Sequence, residues 1–277
     1  MEILDIIKES FIFPSQNLEK LALYIVITFL IGILSAGSLA SIVIALPQNH
    51  VPILAIIFTI ITVIASFIIT GYQVDLLKTG IKQDENAPSF VWKDNLVTGI
   101  KMLIVGIVYF IIPTVITIIM SLITNIPGQF INIAQNTVLS STNVTTVATA
   151  TSPVLGTISD VALANLMGSI TITSVVALIL FTIFAFLETM GESRLANTGD
   201  LSEALNIVEA GKDIGRIGIG KVLAVIILVV IIVTIINMIF NYIYGQIPQL
   251  TILSIIISPY LVFFTQRAKG LLYSDIA

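Results

Sequence analysis

Side chains that can donate and accept hydrogen bonds recur at helical spacing in three otherwise apolar stretches of the chain. Hydroxyls and amides in such rows could line a path for a small uncharged solute or hold a lipid headgroup. The three rows are Thr59, Thr62 and Ser66; Thr114, Thr117 and Ser121; and Thr234, Asn237 and Asn241. The commoner role of such groups is to bond to a neighbouring helix or to the preceding turn of their own helix, and we favour that role here. The two Asn amides are the strongest exceptions, because an amide is not expected to be satisfied within its own helix.

Acidic residues near the end of the fourth apolar stretch are a weaker candidate for a site. Glu188, Glu192 and Arg194 lie close together, and Asp200 and Glu203 follow them. Carboxylates in such a group could bind a metal or transfer a proton. A solvated charged segment beside the membrane explains the same residues more simply, and we favour it.

Aromatic and basic residues at the start of the third apolar stretch could contact lipid headgroups. Trp92 and Lys93, with Phe90 before them and Lys101 beyond, have the composition found at the membrane interface. Ordinary anchoring of the chain at that interface accounts for them equally well.

Several kinds of chemistry are excluded by what the sequence lacks. There is no Cys, and the one His, His50, lies in a short turn at 47–52. The centre of every long apolar stretch is free of charge, whereas proton pumps, ion-coupled carriers and voltage sensors need charged groups within the membrane. Intramembrane proteases need paired Asp, Ser with His, or a metal site. We therefore expect no enzymatic activity, no cofactor and no metal.

The elements that must position these residues are membrane-spanning helices. The chain has 277 residues, of which 57% are hydrophobic and 10% are charged, and its mean hydropathy is +1.08. A soluble domain has about a quarter of its residues charged, and a helix crosses the bilayer core in about 20 residues. The sequence therefore predicts an all-α, polytopic membrane protein with a single membrane domain. Its six transmembrane helices are expected at about 21–46, 51–70, 101–124, 161–187, 221–245 and 250–265.

Charged and polar residues gather between these helices. Residues 71–100, here the first charged segment, and residues 188–220, the second charged segment, are each expected to carry an interfacial amphipathic helix. A third such helix is expected at 2–13. In the second charged segment, Asp200-Leu-Ser-Glu203 resembles a capping box and predicts where the helix begins.

The positions of the basic residues predict the orientation of the chain. All 12 Lys and Arg residues fall on one side of the six-helix arrangement. By the positive-inside rule, both termini and both charged segments are cytoplasmic, and the protein lies in the cell membrane. The long polar connection at 125–160 then faces outward, and its sequon at Asn143 is open to glycosylation there. The net charge of −4 argues against a nucleic-acid partner and leaves the lipid bilayer as the expected one.

Small residues recur at four-residue spacing in the first predicted transmembrane helix. They form two rows, Gly32, Ala36 and Ala40, and Gly37 with Ser41. Small side chains let helix backbones approach closely in a membrane. The rows therefore predict close packing, either within the chain or between copies in a homo-oligomer.

Short motifs across the chain carry a resemblance to a known family. They are Glu2-Ile leading to Pro14, Gly71-Tyr72, Pro88-x-Phe90-x-Trp92, Gly99-Ile-Lys101 and Tyr109-x-x-x-Pro113. In these motifs the chain resembles the archaeal integral membrane proteins of domain-of-unknown-function family 4013. The likeness covers nearly the whole chain and is strongest over 71–113, although the acidic residues usual just after the Pro of the first charged segment are lacking. The resemblance implies a membrane fold and location and, since the family has no established activity, no mechanism.

These observations favour a non-catalytic membrane protein that acts as a scaffold or handles lipid and envelope components. The alternative is a channel or facilitator for a small uncharged or lipid-like solute, which would use the hydroxyl and amide rows. A third and weaker hypothesis is a membrane enzyme that uses the acids of the second charged segment.

Overall fold

The computed structural model describes residues 1–45, 53–142 and 160–277, and every regular element within these ranges is helical. This confirms the all-α prediction. The α-helices are α1 (Ile3–Gln16), α2 (Leu18–Ala45), α3 (Ile53–Lys82), α4 (Trp92–Ile123), α5 (Ile126–Thr142), α6 (Asp160–Thr198), α7 (Leu201–Ala204), α8 (Ile207–Ile217), α9 (Ile219–Gln246) and α10 (Ser254–Tyr273), and a 3₁₀ segment at Pro248–Leu253 leads into α10.

Within the described ranges, six helical stretches are long and apolar enough to cross a membrane, as the sequence predicts. They are α2, α3, α4, α6, α9 and the 3₁₀ segment with α10. Most extend beyond the predicted limits, because no helix breaker stands where hydropathy falls. α3 continues from the apolar stretch into the first charged segment and stops only at Gln83, which has a φ of 57°. α6 continues to Thr198 and stops before Gly199, which has a φ of 70°.

The helix in the second charged segment is interrupted, where the sequence analysis expects one continuous helix. Asp200 accepts a hydrogen bond from the Ser202 backbone and starts α7, which ends at Ala204. Asn206 then accepts from the backbone of Glu209 and starts α8. The Glu203 carboxylate accepts from Arg194, and the Asp200 backbone amide donates to Thr198 instead. The reciprocal bond of a capping box is therefore not made.

Residues 125–160, expected as a polar connection, begin with a helix, α5. Asn143 and residues 144–159 lie outside the described residues, as does the turn at 47–52 with His50.

The chain divides into two compact units, one formed by Met1–Ile107 with Leu187–Ala277 and the other by Val108–Phe186. In the larger unit, aromatic residues from α1, α2, α3 and α10 form the core: Phe13, Tyr24, Tyr72 and Phe263 are all buried. In the smaller unit, Phe110 of α4 and Phe181 of α6 stack with ring centroids 5.9 Å apart.

Glycines in the larger unit allow α3 to touch two other helices backbone to backbone. A Cβ at Gly71 would overlap the carbonyl of Asn95 in α4, and one at Gly99 of α4 would overlap the carbonyl of Phe67 in α3. Further along α3, Gly80 faces Gly270 of α10, where a Cβ on either would collide with the other's backbone. These close contacts fix α10 against α3 and so position the side chains described next.

Candidate functional site

Three of the six hydroxyls in the predicted rows of α3 and α4 bond to their own helices. Ser66 donates to Thr62 O at 2.8 Å, Thr114 to Phe110 O at 2.7 Å and Thr117 to Pro113 O at 2.7 Å. Thr59 reaches another helix, because its hydroxyl lies 2.8 Å from that of Ser38 in α2. The buried Thr62 hydroxyl has no partner among the described residues, and Ser121 is half-buried in the smaller unit.

All three residues of the row on α9, Thr234, Asn237 and Asn241, are exposed. Asn237 donates from its amide nitrogen to Val233 O, four residues back, at 2.9 Å. The expectation that an amide is not satisfied within its own helix is therefore wrong for its nitrogen, because the side chain reaches the carbonyl one turn earlier.

The residues predicted to contact lipid headgroups differ in their surroundings. Trp92 is 56% exposed, and its ring centroid lies 5.9 Å from that of Phe90, which stacks at 3.8 Å on Tyr72. Lys93 is exposed. Lys101 instead donates to Gly199 O at 2.7 Å, so it joins α4 to the residue that follows α6.

The small-residue rows of α2 face two different environments. A Cβ at Gly37 would lie 3.1 Å from the ring of Phe58 in α3, and Ser38 beside it donates to Ala55 O of α3 at 3.2 Å. A Cβ at Gly32 would meet nothing within 4 Å. The Gly32 row thus remains open where the Gly37 row is packed.

The open row borders a cavity of about 410 Å³ between α2 and α10, here called the apolar cavity. Two of its polar lining groups are engaged elsewhere: Thr28 donates to Tyr24 O at 2.9 Å, and the Tyr24 hydroxyl accepts from Gln73. The cavity is lined by Tyr24, Thr28, Phe29, Gly32, Ile33, Ala36, Ser254, Ile255, Ser258, Pro259 and Val262.

A second cavity, of about 270 Å³, lies on the other side of the same turn of α10 and is here called the amide cavity. Ser258 and Val262 line both cavities. The amide cavity takes Gln73 from α3, Val233 and Asn237 from α9, and Ser258, Leu261, Val262, Thr265 and Gln266 from α10. Its three amides distinguish it from the apolar cavity, whose lining has hydroxyls but no amide side chain.

The amides of this cavity are held by bonds from their nitrogens. Gln73 donates to the Tyr24 hydroxyl at 2.7 Å, and Gln266 donates to the Glu192 carboxylate at 3.1 Å. The other oxygen of Glu192 accepts from Lys269 at 2.6 Å. Gln266 is 7% exposed, and its side-chain oxygen has no hydrogen-bond partner within the described ranges.

The residue after Gln266 enters a network of ions and carbonyls, although its buried Nε has no hydrogen-bond partner within the described ranges. Arg267 is 2% exposed and donates to Thr79 O at 2.9 Å, to Asp84 O and to the Glu9 carboxylate. Its guanidinium carbon lies 4.6 Å from the centroid of the Phe13 ring. Arg267 therefore connects α10 to α1 and to the turn after α3.

Asp213 of α8 is the centre of a second buried network of hydrogen bonds. It is 1% exposed and accepts from Arg194 at 2.9 Å, Arg216 at 2.7 Å and the Tyr273 hydroxyl at 3.1 Å. Two guanidinium groups and a phenol around one carboxylate fix α8 against α6 and α10.

A more exposed pair lies beyond α10. Burial raises the pKa of Asp275, but hydrogen bonds from Lys221 and from the Met1 amino group outweigh it and hold that pKa below its ordinary value. This pair fastens the start of α9 to the residues that follow α10.

Of the acids proposed from sequence as a weak metal or acid–base site, Glu188 and Glu192 lie near each other with Lys269 beside both, whereas Asp200 and Glu203 are engaged elsewhere. Glu192 is bound by Lys269, Glu203 by Arg194, and Asp200 starts α7. In the part of the chain that the structure describes, no three His, Asp or Glu side chains are grouped so as to hold a metal ion.

The chain matches a family model described as "Protein of unknown function (DUF4013)" over residues 54–245. The chain belongs to this family. The match confirms the family that the sequence motifs predict, and it carries no activity with it. No curated protein and no solved structure matches the chain.

Within this DUF4013 protein, the cavity lining includes residues that the sequence alone does not select. Gln73 and Asn237 lie within the matched range, whereas Ser258, Thr265 and Gln266 of α10 follow it. Of these five, only Asn237 is predicted from its spacing. One feature of the sequence could have pointed to the α10 residues. Hydroxyls and a Gln-Arg pair occur in the shortest and least apolar of the six described stretches.

Proposed function

We propose that this DUF4013 protein is a non-catalytic, multi-pass protein of the cell membrane, of archaeal origin as its motifs suggest, that handles lipid or envelope components. The observation that carries the proposal is the pair of cavities on one turn of α10. One is lined mainly by hydrocarbon and the other has three amides in its lining, and they share Ser258 and Val262. This arrangement matches the apolar and polar ends of an amphiphile.

The non-catalytic role is supported by what the buried charges do. Arg267, Asp213 and Glu192 each bond to oppositely charged side chains of the same chain. Such pairs position helices, and groups already engaged in this way are poorly placed to bind or transform a substrate.

The proposed orientation has both termini and both charged segments in the cytoplasm. It is supported by contacts among these segments, since Arg267 bonds to Glu9 of α1 and to Asp84, and Lys101 bonds to Gly199. Segments that touch outside the apolar stretches lie on the same side of a bilayer, and the Lys and Arg residues among them favour the cytoplasmic side.

A membrane-impermeant amine reagent tests this orientation. Lys82 and Lys212 are exposed and should be labelled in permeabilised cells but not in intact cells. A cytoplasm-dependent reporter fused after Ala277 should give a signal. Labelling of either lysine in intact cells would show that the orientation is reversed.

Lipid handling is tested by filling the apolar cavity. Gly32→Leu places a large side chain where a Cβ now meets nothing, and Gly168→Leu in α6 makes the same change at another open glycine. Lipid that co-purifies with the protein, counted by mass spectrometry, should fall about tenfold for Gly32→Leu, a loss of about 1.4 kcal/mol. Gly168→Leu should leave it unchanged.

The Gly32 experiment also addresses the homo-oligomer. If the open row of Gly32, Ala36 and Ala40 joins two copies, Gly32→Leu should convert a dimer to a monomer in size-exclusion chromatography with light scattering. A monomeric wild type that loses its lipid on this substitution supports the lipid instead. Equal lipid content in wild type and Gly32→Leu would contradict lipid handling through this cavity.

The facilitator for a small uncharged or lipid-like solute remains the second candidate. Asn237 favours it, because this predicted lining residue borders a cavity. The bonding of Ser66, Thr114 and Thr117 to their own helices weighs against a path along the rows. Solute flux into vesicles that hold the purified protein, compared between wild type and Asn237→Leu, distinguishes the two functions.

A further inference from the structure

We propose that the amide cavity receives the uncharged, hydroxyl-bearing head of a lipid alcohol whose tail lies in the apolar cavity. This inference rests on the proposed function and specifies its ligand. It follows from one unpartnered oxygen, from the way in which the neighbouring amides are bonded, and from the charges around them.

The unpartnered oxygen belongs to Gln266. Its amide nitrogen faces the Glu192 carboxylate, which can only accept a hydrogen bond, so the assignment of nitrogen and oxygen in this amide is determined. The oxygen is buried and has no donor in the described part of the chain. A buried acceptor without a donor is costly, and a ligand that donates one would remove that cost.

The other two amides favour the same kind of ligand. Asn237 donates its nitrogen to Val233 O, and Gln73 donates to the Tyr24 hydroxyl. In both residues the hydrogen bond within the described part of the chain uses the amide nitrogen. The amide oxygen can therefore accept a hydrogen bond from a ligand. A hydroxyl suits this lining, since it donates to a carbonyl and can still accept from Ser258 or Thr265.

The charges indicate that the head is neutral. No residue that lines either cavity carries a charge. The nearest carboxylate bonded to the lining, Glu192, is already paired with Lys269 at 2.6 Å. A phosphate or ammonium head would find no counterion among the lining residues, which disfavours it relative to a hydroxyl.

The tail is inferred from the shared wall. Ser258 and Val262 separate a cavity of about 270 Å³ from one of about 410 Å³. The larger one is lined by Phe29, Ile33 and Ile255, which offer a lipid tail van der Waals contact without any polar group to desolvate. A water-soluble polyol would leave this cavity unused, so a lipid alcohol fits the pair better.

The test compares three lipids that differ only in their heads. The full chain is reconstituted in dioleoylphosphatidylcholine nanodiscs with dioleoylglycerol, with its methyl ether, which lacks the donor, or with dioleoylphosphatidic acid, which is charged. Native mass spectrometry after release measures the retained lipid. Dioleoylglycerol should be retained about tenfold better than either analogue, because sites that bond a hydroxyl discriminate against ligands that lack it.

Variants assign that preference to the amide cavity. Gln266→Met keeps the side-chain length but removes the oxygen, and it should reduce the preference for the alcohol over the ether to near parity. Asn237→Leu should weaken the preference as well. Asn241→Leu, an exposed position outside the lining of the amide cavity, is the matched control and should retain the full preference.

Each outcome separates this inference from the function on which it rests. Equal retention of alcohol and ether by the wild type, or a preference that survives in both Gln266→Met and Asn237→Leu, overturns the lipid-alcohol inference while lipid binding stands. Retention of none of the three lipids, with co-purified lipid unaffected by Gly32→Leu, overturns both. If Gln266→Met aggregates, Asn237→Leu decides the question, because its nitrogen bonds only within α9 among the described residues.

Discussion

Two consecutive residues of α10 have opposite surroundings, although both are polar and both are buried. Arg267 is surrounded by acceptors from α1 and from the end of α3, so its charge is paired within the chain. Gln266 bonds to Glu192 through its nitrogen and keeps a free oxygen beside a cavity. The Arg267 side holds helices together, whereas the Gln266 side leaves a bonding capacity that a ligand can use.

The largest loss of stability is expected for Arg267→Met, which removes the contacts of Arg267 with α1 and with the end of α3. The substitution removes the partner of Glu9 and the side-chain donor to Asp84 O, whereas Thr79 O keeps its bond from the Asp84 backbone amide. We expect a loss of about 3 kcal/mol, at the low end for a broken buried ion pair because Glu9 is partly exposed. Thermal unfolding in detergent measures it, with Arg267→Lys as a milder control that keeps the charge. A variant as stable as wild type would mean that the network does not hold α10.

The second largest loss of stability is expected at the close contact between α3 and α10. Gly270→Ala introduces a Cβ into the backbone of Leu77 and Gly80, so the two helices must separate. We expect a loss of about 2 kcal/mol, typical of overpacking. Gly220→Ala, where a Cβ meets nothing, is the control and should be neutral or slightly stabilising. Equal melting temperatures for the two variants would contradict the tight crossing.

Substitution of Gln266 should change the stability much less than substitution of Arg267. Gln266→Met loses the bond to Glu192 but also removes the unsatisfied oxygen. These effects oppose each other, so we expect the stability to change by less than about 1 kcal/mol. The same unfolding assay measures it. A loss as large as that of Arg267→Met would show that Gln266 is structural, and the contrast between the two residues would disappear.

The smallest effect is expected at the exposed pair of Asp275 and Lys221. The folded-state pKa of Asp275 is depressed, so its contribution is present above the ordinary carboxyl pKa of about 4 and is lost as the pH falls through the folded value. Asp275→Asn should therefore lower stability by about 0.5 kcal/mol at pH 7. The difference from wild type should shrink only in strongly acidic solution. A difference that shrinks between pH 7 and 5 would contradict this assignment.

Much of the scaffold is predictable, because hydropathy is a local property. The six apolar stretches, the all-helical fold and the family follow from composition and short motifs. The continuation of α3 and α6 into the charged segments follows from the absence of breakers before Gln83 and Gly199. The break at Leu205 is less accessible, since it depends on Arg194 binding Glu203 and on Asn206 starting a new helix.

The candidate site is predictable only in part. Periodicity selects Asn237 but gives equal weight to Asn241, and it ranks the hydroxyls of Thr114 and Thr117 beside them although both bond to their own helix. Whether a polar side chain is satisfied depends on the helix packed against it, which spacing along one helix does not contain.

The sequence by itself determined that the chain is helical, apolar in six long stretches and a member of its family, because these properties reside in consecutive residues. Only the tertiary structure decided that α10 carries both the buried cation and the open amide. Arg267 meets Glu9, which is 258 positions away in the chain, and Gln266 meets Glu192 of α6 and shares its cavity with Asn237 of α9. Such distant partners are set by helix packing, which follows from glycine contacts such as that of Gly80 with Gly270.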